Sequence, residues 1–186
     1  MEHLKKANNK LFISGGKIST RTLVASALLI SMAVILGQFS IMAGPSVRIG
    51  FSRVPIIVSG LLLGPFAGGL TGAVHDVINF IIRPAGGFHP GFTLSAMMTG
   101  LIPGLVVKFG LSKKAFSSFN VILSVALVYL VVTLLMNTYW LSQLIGDSYL
   151  VLLPARAATQ LLANVANAVV ILLLAKPLEG YKNRFS

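Results

Sequence analysis

The chain has 186 residues, 55% of them apolar and 10% charged, with a formal net charge of +11. A soluble domain carries about a quarter of its residues as charges, so this composition, with a mean hydropathy of +0.88, excludes a soluble globule. At about 20 apolar residues per bilayer crossing, the length supplies about six helices and no room for a nucleotide-hydrolysing domain. There is no G-x-x-x-x-G-K-[ST] phosphate loop. There is also no cysteine, which removes disulfides, thiolate zinc sites, iron–sulfur clusters and cysteine nucleophiles.

In chain order, Lys5, Lys6, Lys10, Lys17 and Arg21 surround the start of the first apolar run. Residues 1–19 are therefore expected to form a basic cytoplasmic tail. The first helix is expected at about 20–40. A cleaved signal peptide shares the basic start, but this apolar core is too long and Ile41-Met42-Ala43 makes a poor cleavage site. From Val54 to Ile82 only His75, Asp76 and Asn79 interrupt the apolar pattern, and Gly64-Pro65 lies inside it. Proline breaks or kinks a helix. Residues 54–64 alone reach about 16 Å of a hydrocarbon layer about 30 Å thick.

Charge parity chooses between one helix and two. Lys108, Lys113 and Lys114 form a mid-chain cluster that, like the amino-terminal one, marks the cytoplasmic side. An even number of crossings must separate the two clusters, so the run is expected to split into helices at about 54–64 and 66–83. Further helices follow at about 92–110, 118–143 and 152–176. The expected fold is all-α and integral to the membrane, a single domain of six transmembrane helices with both termini cytoplasmic.

This topology sorts the cations. The inner clusters hold eleven basic residues, including all nine lysines, whereas the outer half holds Arg48, Arg53, Arg83 and Arg156. A planar guanidinium fork suits a carboxylate or phosphate, so an outward-facing anion site is expected. The basic charge flanks apolar spans and forms no contiguous face, which points to membrane lipid rather than nucleic acid.

Several polar features lie inside the spans. Asp76 and Asn79 are three apart and share a helix side; an ionisable group at such depth is a binding candidate, with a structural ion pair to an arginine as the alternative. His75 beside them is expected to be packed. Arg156, Gln160, Asn164 and Asn167 follow one another at i, i+4, i+8 and i+11, a stripe that lipid cannot satisfy and that must face the bundle interior. Asn137 and Trp140 line one side of the fifth helix, where an aromatic belt is the alternative. The loop 84–92 carries Phe88, His89 and Phe92 among glycines and prolines, as a gate or an interfacial anchor. Gly60, Gly64, Gly68 and Gly72, with Ala96, Gly100 and Gly104, recur at four-residue spacing and predict close helix packing. Ala27 and Ser31 repeat that spacing on the first helix and face either the bundle or another membrane protein. No metal site is expected, because His75, Asp76 and His89 lack a ligand spacing. Ser52 has no base beside it to serve a membrane protease.

Taken in order, Arg48-Ile49-Gly50-Phe51, Pro55, Gly64-Pro65, Gly68, Gly72, Asp76, Pro84, Gly86-Gly87, Pro90-Gly91-Phe92-Thr93, Gly100, Pro103-Gly104, Asn137-Thr138-Tyr139-Trp140-Leu141, Gly146 and Arg156 with Gln160 form a pattern. It resembles the S components, the substrate-binding membrane subunits, of energy-coupling factor (ECF) vitamin transporters, and among them the folate-specific FolT family. The resemblance covers nearly the whole chain after residue 20. It implies a six-helix bundle without a cofactor that captures one vitamin from outside. Its partners would be a transmembrane coupling protein and two ATPase subunits on separate chains. Ala27 and Ser31 match the small pair that meets the coupling protein in that family. The expected vitamin-binding residues are Arg48, Asp76, Asn79, Phe92, Asn137, Trp140, Arg156 and Gln160, with Phe88 and His89 in the gate. Folate fits this inventory: a carboxylate for the pterin donor edge, aromatic rings for its face, arginine for its glutamate. Other readings are an S component for thiamin or riboflavin, a small intramembrane enzyme, or an ion-coupled carrier.

Overall fold

The computed structural model describes residues 19–42, 48–84, 87–109 and 114–185, with side chains at all of these but 41, 42, 48, 49, 176 and 181–185. The basic tail expected at 1–19, apart from its last residue, lies outside the described residues. Six helical rods follow in chain order: α1 (Thr20–Gln38), α2 (Arg53–Leu63), α3 (Pro65–Ile82), α4 (Pro90–Phe109), α5 (Ser118–Ile145) and α6 (Tyr149–Phe185). A two-residue antiparallel ribbon, β1 (Ile41–Met42) with β2 (Arg48–Ile49), joins α1 to α2. It is a small addition to the all-α expectation. Four of the rods, α1, α4, α5 and the first 27 residues of α6, are long and apolar enough to cross a membrane.

The break at Gly64-Pro65 is where parity requires it. Gly64 takes φ 93°, a left-handed value that costs glycine little. Pro65 then opens α3, where its missing N–H is no loss. The 11-residue α2 is buried continuously from Val54 to Leu61. It is therefore an internal helix, apolar on all sides because every side meets protein.

Small residues set the packing of α2, α3 and α4. A Cβ on Gly68 would lie 2.6 Å from Cα of Gly60, and one on Gly72 2.6 Å from the carbonyl carbon of Ala96. One on Gly104 would lie 2.7 Å from the carbonyl carbon of Gly64. These helices touch backbone to backbone, the close approach that small residues permit in lipid. Around α2, Val54, Ile57, Val58 and Leu61 pack with Ala115, Phe116, Val121, Val125 and Ile171, which ties α2 to α5 and α6.

Helix six departs from its expected boundaries. It spans 37 residues rather than ending near 176, about 55 Å at the rise of an α-helix. The extension has a partner: Glu179 Oε2 accepts from the N–H of Phe116 at 3.0 Å, and Leu178 packs on the same core. The pairings make consecutive helices alternate in direction. Lys108 and Lys114 fall at one end of the bundle. Arg53, Arg83, Arg156 and the strand that holds Arg48 fall at the other, the arginine end.

Candidate functional site

Helix α6 is polar inside and apolar outside, the reverse of a helix in water. Arg156, Gln160, Asn164 and Asn167 are only 7, 2, 3 and 1% exposed. Leu161, Leu162, Val165, Val169 and Leu173 cover the opposite side and stand free. The side-chain N–H of Asn164 donates to the Gln160 carbonyl at 2.7 Å. The Oδ1 atoms of Asn164 and Asn167 are buried with no partner among the described residues. A buried acceptor left so costs about 1–3 kcal/mol, which a bound polar molecule would offset.

The four arginines of this end divide. Arg53 opens α2 half-buried, and Arg156, 7% exposed, lies at the same end of the bundle on α6. Cations gathered at one end of a bundle repel one another, and an anion bound among them would turn that repulsion into attraction. Arg83 does something else: its Nη1 donates to the carbonyl of Gln38 at 3.3 Å, at the carboxyl end of α1. Arg48 sits in β2 opposite Met42, and its side chain lies outside the described residues.

Asp76 and Asn79 share a side of α3 yet meet different neighbours. Asp76, half-buried, accepts from the Thr93 hydroxyl of α4 at 2.7 Å. Asn79 accepts from Nε2 of Gln38 on α1 at 3.2 Å. The two positions lie about 60° apart around a helix, and α1 and α4 flank α3 on either side, so each captures one of them. His75 turns toward α1 as well: a Cβ on Gly37 would lie 3.6 Å from its Nε2. It is 7% exposed, in keeping with a packed histidine.

An aromatic cluster closes the arginine end between α4, α5 and the loop before α4. The rings of His89 and Trp140 are 5.3 Å apart and tilted by 38°. His89 also meets Phe92 edge-on at 5.9 Å, and Tyr139 meets Trp140 edge-on at 4.9 Å. The His89 ring is oriented by the N–H of Gly91, which donates to its Nδ1 at 3.1 Å. A Cβ on Gly91 would lie 2.6 Å from Cε2 of Trp140, so the indole rests directly on the α4 backbone. The indole N–H is buried with no partner among the described residues. Phe88 packs edge-on against Phe80 of α3 at 5.2 Å, and remains 53% exposed. His89 thus joins the Trp140 cluster while Phe88 lies against α3.

A nine-residue π-helical stretch, Val128–Met136, delivers Asn137 and Trp140 to this position. Such wide turns shift the angular phase of everything after them, and often occur at functional sites. The Thr138 hydroxyl donates to the carbonyl of Thr133, five residues back, at 3.1 Å. The Tyr129 hydroxyl donates to Ala157, next to Arg156, at 2.7 Å, and that of Tyr149 to Leu134 at 3.3 Å. The two tyrosine bonds join the π stretch to α6.

Ala27 and Ser31 are exposed on α1, whose buried positions are Ala33 and Gly37. The Ser31 hydroxyl is satisfied within its own helix by the Ala27 carbonyl at 2.9 Å. Leu23, Val24, Leu28, Met32 and Ile35 are exposed on the same helix, so the small pair faces outward rather than into the bundle.

Sequence reasoning passed over Thr93 as a partner of Asp76, Gln38 as a partner of Asn79, and the buried hydroxyls of Thr71 and Ser95. The two hydroxyls have no partner among the described residues. A single uncharged hydroxyl or amide in an apolar run carries no periodic signal. Only the shared four-residue packing of α3 and α4 would have suggested that Thr71 and Ser95 are internal.

Known proteins agree with this architecture. Residues 21–178 match the family of substrate-specific components of ECF transporters. A folate transporter FolT of Clostridium novyi (strain NT) is 35% identical over 149 residues, 80% of this chain and 84% of that protein. A folate transporter FolT of Leuconostoc mesenteroides subsp. mesenteroides is 31% identical over 126 residues, 67% of this chain and 65% of that one. A crystal structure of FolT bound with folic acid superposes with a TM-score of 0.73 at 26% identity, covering 87% of this chain and 98% of that one. The S component for biotin from an ECF-type ABC transporter shares the fold, with a TM-score of 0.64 at 21% identity, over 90% of this chain and 95% of that one. With its inside-out α6, its glycine-packed α2–α4 core and a match over most of its length, this multi-pass membrane protein belongs to the substrate-specific components of ECF transporters.

Proposed function

We infer that this protein captures folate at the arginine end of the bundle and presents it to an energy-coupling module made of other chains. The observation that carries the inference is the buried polar stripe of α6, headed by Arg156 and followed by Gln160, at the same end as the Asp76 carboxylate and the Trp140 cluster. Folate has the complementary parts: two carboxylates on its glutamate, a flat pterin, and a guanine-like donor edge. In this reading Arg156 and Arg53, with Arg48 from the ribbon, hold the glutamate. Asp76 accepts from the pterin edge, while Trp140, Phe92 and His89 cover the ring. Asn137, Gln160 and the deeper amides of α6 supply further hydrogen bonds, and Asn79 acts with Gln38 at the rim. The relatives that carry the name folate transporter support the same assignment.

The protein acts by binding and not by turnover. The bundle crosses the cell membrane with the arginine end outward and the lysine end in the cytoplasm, as the bias of lysine toward cytoplasmic loops directs. The exposed Ala27–Ser31 face of α1 meets a transmembrane coupling protein, and two ATPase subunits drive release.

Trp140 is the single tryptophan of the chain, so its emission reports the site without labelling. Titration of the purified protein with folate is expected to saturate at one equivalent. Pteroate, which lacks the glutamate, should bind more weakly, and riboflavin and thiamin should leave the emission unchanged. Saturation by riboflavin or thiamin but not by folate would overturn the assignment. The orientation is tested by single cysteines at Ser117 and Ser148. Impermeant reagent added to intact cells should label the Ser148→Cys protein and not the Ser117→Cys protein.

A further inference from the structure

We propose that Gln38 is a positioning residue for the vitamin site, a latch that fastens the end of α1 to the end of α3 at the arginine end. The proposal rests on the folate-binding reading above. The place where a membrane helix ends against its neighbour is usually filled by an apolar side chain, because an amide there must find partners. Gln38 has found them: its Nε2 donates to Asn79 Oδ1 at 3.2 Å and to the Val34 carbonyl of its own helix at 3.4 Å. The residue before it makes room for this. A Cβ on Gly37 would lie 2.9 Å from Asn79 Oδ1, so glycine lets the Asn79 amide sit against α1.

The Gln38 carbonyl completes the latch by accepting from Arg83 Nη1 at 3.3 Å. A cation at the carboxyl end of α1 complements the helix dipole and satisfies a terminal carbonyl. Arg83 is the last residue before the loop that leads to Phe88 and His89. On the other side of the latch, the Ser40 hydroxyl donates to the Gly37 carbonyl at 2.8 Å. A Cβ on Gly50 would lie 2.9 Å from Cβ of Ser40. The ribbon that carries Arg48 therefore returns onto the end of α1, two residues beyond Gln38. The ribbon thus leaves from Ser40, bonded to the carbonyl of Gly37, and the loop after α3 leaves from Arg83, bonded to the backbone carbonyl of Gln38, so both depart from the end of α1 that the Gln38 amide fastens to α3. The latch acts on how long the vitamin stays, not on which vitamin enters.

The test is stopped-flow dissociation of folate from the full-length protein, read by Trp140 emission. Gln38→Leu keeps the bulk and removes the amide. Its off-rate should rise about tenfold, the loss of one part-buried hydrogen bond. The on-rate and the thermal midpoint of the ligand-free protein should stay near wild type. Gln38→Leu combined with Asn79→Leu should release folate no faster than the faster single variant, because the pair acts as one unit. Arg83→Gln, an exposed substitution with little risk to folding, should also speed release. A wild-type off-rate in both Gln38→Leu and Arg83→Gln would overturn the latch. So would additive losses in the double variant, or a fall in thermal midpoint and on-rate matching the change in off-rate. Wild-type protein that binds no folate would remove the latch and the functional reading together.

Discussion

Gly91→Ala puts the smallest side chain where the structure has least space for it. The new Cβ would stand 2.6 Å from Trp140 Cε2 and 2.8 Å from His89 Nδ1. Carbon atoms in contact rest about 3.5–4.0 Å apart, so the indole, or the start of α4, must move by roughly 1 Å. Two effects compete. Alanine in place of glycine favours a helix by up to about 1 kcal/mol, and by less in a first turn. Overpacking a filled site costs about 1–3 kcal/mol. Overpacking wins, because the atoms struck belong to a large ring wedged between Tyr139 and His89 and not to the end of a flexible chain. Shifting the indole would also weaken the pterin contact proposed above, worth about 1 kcal/mol for an aromatic pair. Folate should therefore bind about 5–30-fold more weakly, with the emission of ligand-free Trp140 altered because His89 no longer lies at its set distance. Fluorescence titration measures both quantities on the same sample. Wild-type affinity with unchanged emission would show that the ring does not rest on Gly91 and that the cluster has no part in binding.

Gly72→Ala should lower the thermal midpoint in detergent, by roughly 3 kcal/mol or more of stability, since the new Cβ meets the Ala96 backbone, which no rotamer change can relieve. Gly180→Ala, whose Cβ meets nothing within 4 Å, should be neutral or stabilising by up to about 1 kcal/mol. Asp76→Asn keeps the shape but offers a donor to a donor edge, and should weaken folate by about 2–4 kcal/mol of binding; full affinity with a lowered midpoint would make Asp76 a structural partner of Thr93 and no more. Arg156→Lys should weaken folate strongly, by about a hundredfold for the loss of a two-point charge-assisted grip, and pteroate little. Equal losses for both would mean that the guanidinium grips some other part of the ligand. Ala27→Leu with Ser31→Leu should leave folate affinity intact and reduce co-purification with the coupling protein; intact assembly would assign that face to lipid.

Composition and pattern by themselves determined the membrane class, the all-helical character and the break at Gly64-Pro65. Each follows from the bilayer: span length, the expense of stranded charge and the side on which lysine collects are one-dimensional constraints that a sequence records directly. The α6 stripe was legible for the same reason, because lipid tolerates no amide and a period of 3.6 residues then fixes the face. Direction around a helix was less legible where neighbours decide it. Asp76 and Asn79 share a side by spacing, yet Thr93 takes one and Gln38 the other, since two helices compete for that side. The π stretch Val128–Met136 left no mark in the sequence, because an extra residue per turn depends on what α5 packs against: the Tyr129 and Tyr149 bonds to and from α6 exist only once the two helices lie together. The extension of α6 past Pro177 was decided in the same way, by Glu179 meeting the backbone of Phe116 across 63 residues of chain. Local chemistry sets which segments become helices in lipid; which atoms meet is a property of the packed bundle, where each close approach depends on all the others.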